Sequence, residues 1–227
     1  MIANRMRIII LGAGGHAQVI ADALLRAREA GATCDLGGFL DDNPALAGQV
    51  RLGLPILGSI STLAQHAHDG CVIGIGDNRL RAHIFRQLRA QGEQVATVIH
   101  PHAVIAPDVT VGAGVIIFAG VVVNTGATIG ENVVLNTGCT VDHHDIVADH
   151  AHIAPGAHLG GDVRIGEGAF VGIGATVMPQ RSVGVWSVVG AGALVHRDVP
   201  DRVTAIGVPA RVTAQSSEHL SDNTDTP

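Results

Sequence analysis

Aromatic side chains are scarce in this chain: Phe, Trp and Tyr supply 2% of 227 residues, as four Phe, one Trp and no Tyr. That suits a narrow interior without room for many rings. Cysteine is sparse too. Cys34, Cys71 and Cys139 are an odd, scattered three, without the spacing of a metal site or a disulfide framework, and they point to a reducing compartment. Positive charge is short: 14 Lys and Arg stand against 20 Asp and Glu, a net −6 with no basic cluster, which argues against a nucleic-acid partner. Long apolar runs are missing. The run Ile8–Leu11 is too short for a signal or a membrane span, so a soluble, cytoplasmic protein is expected. The length permits one or two domains with a sizeable core.

What the chain does have is a period. From Ile99 to Val195 every sixth residue is Ile, Leu or Val, seventeen times in succession. Six fits neither the 3.6-residue helix nor the alternating strand; it is the hexapeptide signature of a parallel β-helix, a short strand plus a corner per repeat. Four residues after each aliphatic the residue is mostly small (Ala127, Cys139, Ala151, Ala157, Ala169), as a narrow three-walled interior demands. Asp145 and Arg181 break that rule. Glycines beside the aliphatics (Gly112, Gly130, Gly166, Gly172, Gly184, Gly190) mark bends where φ > 0 is expected. Three hexads per coil give nearly six coils, roughly 25 Å of height at the usual strand spacing.

The first 97 residues read differently, as a small α/β domain with a parallel sheet. The buried strand Arg7–Leu11 runs into Gly12-Ala13-Gly14-Gly15-His16-Ala17, and Val19, Ile20, Ala23 and Leu24 then form a helical stripe. Further strands end at Phe39-Leu40-Asp41-Asp42 and at Ile75-Gly76-Asp77-Asn78. Arg79–Arg89 is again helical, with Leu80, Ile84 and Leu88 on one face. In such sheets the carboxyl edge of the strands is where nucleotides sit. Gly12-x-Gly14-x-x-Ala17 satisfies a dinucleotide fingerprint, with Asp41 at a plausible distance for a ribose hydroxyl. The domain is too small for both halves of a full dinucleotide fold, so a nicotinamide or flavin is less favoured than another nucleotide; a purely structural glycine turn is the third reading. The expected division is 1–97 α/β, 98–212 β-helix and 213–227 a disordered tail.

The polar exceptions of the β-helix gather in one tract: Asp142, His143, His144, Asp145, His150, His152 and His158. By repeat phase, His143 and His144 project from a corner and His152 and His158 lie outside the core set; for His150 and His158 a solvated surface position is expected. Asp145 falls in the inward slot, where a carboxylate needs a partner, and His143 or His144 is adjacent. A carboxylate beside an imidazole raises its basicity, as a general base near neutral pH requires.

Taken with Leu135-Asn136-Thr137, His152-Ile153-Ala154-Pro155-Gly156 and Gly207-Val208-Pro209-Ala210-Arg211, these segments resemble the left-handed β-helix nucleotide-sugar acetyltransferases of the PglD/NeuD type. That group includes UDP-4-amino-sugar and GDP-perosamine N-acetyltransferases and sialic-acid O-acetyltransferase-like proteins. The resemblance runs from Ile8 to about Arg211. It implies a Rossmann-like N-terminal domain and a left-handed coil, acetyl-CoA as co-substrate, no metal, and a homotrimer with active sites between subunits. It also implies roles: His143 as general base; His152, Gly161 and Ile173 toward acetyl-CoA; Gly14, Gly15, His16, Asp41, Asp42 and Gly76 toward the nucleotide sugar; Asn136 as a polar residue beside the catalytic histidine. The implied reaction is direct acetylation of the 4-amino group of a nucleotide-linked sugar. One position departs from the pattern: the family usually carries Glu or Asp directly after the catalytic histidine, and here stands His144. Asp145 or Asp142 is left to support the base, and His144 is an alternative base. Sialic-acid-type O-acetylation, a non-catalytic partner of a sugar synthase and a γ-carbonic-anhydrase-like zinc enzyme are the competing readings.

Overall fold

The computed structural model describes residues 6–215. Its first part contains β1 (Met6–Leu11), α1 (Gly15–Glu29), β2 (Cys34–Leu40), β3 (Val50–Arg51), β4 (Leu54–Gly58), β5 (Gly70–Ile73) and α2 (Asn78–Ala90). The five strands form one sheet of order β3-β4-β2-β1-β5, parallel except for the β3–β4 edge hairpin. Ile8 to Leu11 are all buried because β1 is covered on both faces. Ile8 and Ile10 pack with Ala17, Ile20 and Leu24 of α1; Ile9 and Leu11 pack with Phe85 and Leu88 of α2.

Two expected helix faces are shifted. Val19, placed on the α1 stripe, is 47% exposed, and Ala17 and Ala21 are buried in its stead. Leu80 is 44% exposed, whereas Arg81, Ala82, Phe85 and Leu88 are buried. The reason is that α2 packs against both the sheet and the coil that follows, so one of its inward neighbours is polar backbone. The hairpin of β3 and β4 and the 3₁₀ turns Pro44–Leu46 and Ile60–Gln65 fill a stretch the sequence left unassigned.

From Val98–Ile99 to Leu194–Val195 the chain makes seventeen two-residue strands, each ending on a hexad aliphatic. Residues 18 apart pair in parallel, as Val104 with Val122 and Val122 with Thr140, so three hexads close one coil. The result is a left-handed parallel β-helix. Its three walls are sheets of eight, six and five strands, the largest completed by the antiparallel hairpin Val203–Ile206 and Arg211–Gln215. The aliphatic and small positions form one continuous core. Cys139 is a packing residue there, its thiol pushed up to about 12 by burial. Ile99 is 42% exposed, at the first coil, which has no coil beneath it. Thr213–Gln215, assigned to the tail from sequence, are the end of the last strand; residues 216–227 of that tail lie outside the described residues.

The glycines beside the aliphatics serve another purpose than the expected one. A Cβ on Gly112 would meet the Gly130 carbonyl carbon of the next coil at 2.7 Å, so glycine is there for close approach of stacked backbones. Positive φ falls two residues later, at Gly114 (+68°), Gly126 (+73°), His144 (+61°) and His150 (+62°) among others. The largest sheet turns Ile116 and Val134 outward, and with Phe118 they join the cluster of α1 and β1, so the two parts of the molecule share packing.

Candidate active site

The strand Thr140–Val141 ends in the corner Asp142–Asp145. Asp145 is fully buried, as its slot requires, but it is not paired with a histidine. Its Oδ1 accepts from the Val163 N–H (2.7 Å) and its Oδ2 from the Asp142 N–H (2.8 Å), tying the corner to the coil above. Burial pushes this carboxyl up to about 7, against the pull of those two donors. Asp142 is pulled below the usual carboxylate range by bonds from Asn124 Nδ2 and the His143 N–H, both 2.8 Å. These carboxylates hold backbone because the corner leaves its N–H groups without sheet partners.

His143 is exposed, and its ring lies across Gly161, one coil further on; a Cβ at Gly161 would overlap it. Among the described residues nothing accepts a hydrogen bond from the Gly161 N–H. His144 turns the other way and lies over Gly126, one coil back, where a Cβ would meet its Cδ2 at 2.7 Å. The two Nδ1 atoms are 3.1 Å apart.

A second cluster sits between the α/β domain and the largest sheet. Arg81 is fully buried and donates to the carbonyls of Ile75, Gly76, Asn132, His150 and Ala151, at 2.8 to 3.5 Å. Burial lowers its pKa to about 10, which leaves it charged at neutral pH. Around it stand His152, His16 and His150, lowered to about 3, 4 and 4 by burial first and by nearby cations second. His150 is therefore no surface group: it is 5% exposed, bonded to Asn132 Nδ2 (2.9 Å) and edge-on to Phe85. His158 is exposed and meets the Thr140 hydroxyl at 3.0 Å. Asn136 stands beside His152, not His143. Its Oδ1 accepts from the Thr137 N–H, which turns its Nδ2 to His152 Nε2 at 3.0 Å. His152 Nδ1 and His16 Nε2 are buried without a hydrogen-bond partner among the described residues.

The expected nucleotide loops divide in two. Gly14 and Gly15 are exposed at the start of α1, with open space around them and N–H groups suited to an anion. Asp41 and Asp42 are engaged. Asp41 accepts from the Ala13 and Asn43 N–H groups, and Asp42 from the Ser59 hydroxyl and the Ile60 N–H. Gly76 borders a cleft of about 270 Å³ whose walls include Asn78, Arg79, Phe170 and Trp186, with the Arg79 guanidinium 4.9 Å from the Trp186 ring centroid. Arg79, Arg81 and Trp186 were missed from sequence. The available signal was the lone Trp standing at a corner position often held by glycine.

The residues thus fall in separate places on one chain. His143, His144, Asp145 and Gly161 share the corner between the two smaller sheets, opposite the largest sheet, which carries His152. Ile173, 60% exposed, sits at another corner, its carbonyl accepting from the Gly192 N–H. Among the described residues no three His, Cys, Asp or Glu side chains converge as a metal site, and no helix is long and apolar enough to cross a membrane.

Comparison with known proteins adds the family. The PglD N-terminal domain matches residues 7–88. A histidine-to-alanine variant of GDP-perosamine N-acetyltransferase from Caulobacter crescentus, in complex with CoA and GDP-perosamine, is 38% identical over 92% of this chain and 97% of its own, with a TM-score of 0.84. The chain belongs to the PglD/NeuD-type hexapeptide-repeat sugar acyltransferases. Two more solved structures are similar to this chain. The acetyltransferase domain of PglB from Neisseria gonorrhoeae, in complex with acetyl coenzyme A, is 33% identical over 93% of this chain and 100% of its own (TM-score 0.85). WeeI from Acinetobacter baumannii is 26% identical over 92% and 100% (TM-score 0.81). No curated protein matches the sequence.

Proposed function

We propose that this acyltransferase moves an acetyl group from acetyl-CoA to the 4-amino group of a nucleotide-linked sugar, with His143 as general base. The likeness at 38% identity to an enzyme held with CoA and GDP-perosamine carries the reading. The amine nitrogen bonds to the thioester carbon and gives a proton to His143, while the Gly161 N–H, lacking an acceptor, bonds the oxyanion. The carbon–sulfur bond then breaks and the thiolate takes up a proton. Residues 1–97 grip the nucleotide at Gly14, Gly15 and the Gly76 cleft, and 98–212 supply the chemistry. A homotrimer fits because the His143 corner and the His152 face point apart within one chain, so adjacent copies bring them to one site.

Release of free CoA thiol from acetyl-CoA tests this, with wild type and His143→Ala against UDP-, GDP- and dTDP-linked 4-amino-sugars and sialic acid. Turnover on one amino-sugar, lost in the variant, is expected. Turnover on sialic acid alone moves the assignment to O-acetylation, and silence with folded protein sinks the reading.

A further inference from the structure

The 3.1 Å between the Nδ1 atoms of His143 and His144 admits one proton, so one ring donates and the other accepts. The choice decides the chemistry. A neutral imidazole donating from Nδ1 leaves its Nε2 lone pair open; one accepting at Nδ1 carries its proton on Nε2 and is no base there. The surroundings favour donation by His143. His144 has φ +61°, and its Cδ2 and Nε2 edge lies against Gly126. The Asp108 carboxylate is anchored at the same place by the Gly126 N–H (2.9 Å) and the Thr125 hydroxyl (2.7 Å). That anion acts on His144 electrostatically, without a hydrogen bond between them, and so favours the proton on Nε2, with Nδ1 as the acceptor. The other carboxylates of the corner act on His143 electrostatically but make no hydrogen bond to its ring. Asp142 and Asp145 are bound to backbone N–H groups, Asn124 below is bound to Asp142, and Asp162 above meets His143 through its own N–H and the His143 carbonyl.

We propose that His144 is a positioning residue whose Nδ1 accepts the Nδ1–H of His143, keeping His143 Nε2 open as the base. This rests on the reading of His143 above. As the sugar nitrogen bonds to the acyl carbon, one N–H proton passes to His143 Nε2. The imidazolium is steadied through Nδ1–H by a neutral ring rather than a carboxylate. The carbon–sulfur electrons leave on sulfur, which takes that proton back from Nε2 as CoA thiol.

Isotope-labelled histidine NMR of the full chain reads the tautomer without turnover, with His143 signals assigned by their loss in His143→Gln. Wild type is expected to show neutral His143 protonated at Nδ1 and bare at Nε2. His144→Phe, a ring with no acceptor, is expected to lose that preference, and kcat to fall about tenfold with KM for acetyl-CoA unchanged. His144→Glu is expected to restore it and to raise the acid limb of the kcat profile by about one pH unit. Wild-type His143 protonated at Nε2, or the same tautomer in folded His144→Phe, overturns the proposal. The expected tautomers without turnover on any amino-sugar overturn the acetyl transfer and leave the His143–His144 bond standing.

Discussion

A single hydrogen at position 161 decides where the His143 ring lies. Gly161→Ala would place a methyl inside the present ring position, and an exposed ring yields by rotating away. The fold should tolerate this, with a thermal midpoint near that of wild type. With His143 in its proposed role as base, thiol release should drop at least about tenfold. An unchanged rate would mean that His143 works in another rotamer. Much of this was readable from the repeat: with 18 residues per coil, 161 stacks on 143 and Asp145 points inward. What period cannot supply is what a side chain bonds. Asp145 was expected to seek an imidazole, and Asp41 a ribose. Both hold backbone N–H groups, and Asp145 does so in place of the expected imidazole.

At the scale of elements, the hexads were legible because a coil repeats one environment, whereas helix faces depend on what packs against them. α2 buries an arginine because it faces carbonyls at the ends of coil strands as well as apolar side chains. A stripe of apolar residues could not reveal that. Arg81→Met keeps volume but leaves five carbonyls without this donor. It should cost roughly 3 kcal/mol, seen as a lower urea midpoint at unchanged slope. A loss under about 1 kcal/mol would mean that water replaces the guanidinium. The corner has its own version of this. Asp145→Ala strips acceptors from two N–H groups on successive coils and should cost about 2 kcal/mol by the same measurement, although Ala is the usual residue of that slot. An alanine variant as stable as wild type would show that the carboxylate is kept for reactivity alone.

The whole molecule is joined where the helix period and the hexad period meet, and neither pattern read alone discloses the charge buried there. That junction sets the response to acid. Unfolded histidine titrates near 6.5, while His16, His150 and His152 in the fold sit at about 4, 4 and 3, through burial first and then Arg81 or, for His150, Arg86 followed by Arg81. Between about pH 4 and 6.5 the unfolded chain therefore binds up to three more protons at these sites. Asp145 works the other way: at about 7 in the fold against 3.8 unfolded, it adds one proton to the folded side. His68 moves up, its bonds to the His66 carbonyl and Glu93 outweighing burial, and His100 moves down through burial, so these two oppose each other. The unfolded state binds more protons on balance, and stability must rise with pH across this window and drain away as pH falls through it. The thermal midpoint is expected to fall steadily on acidification from pH 6.5 toward 4. The fall should be steeper in Asp145→Asn, which removes a carboxyl acting against it, and shallower in Arg81→Met, where the three histidines no longer face a buried cation. A midpoint that is flat or rises on acidification would mean the junction admits water and its histidines titrate as they do in the unfolded chain.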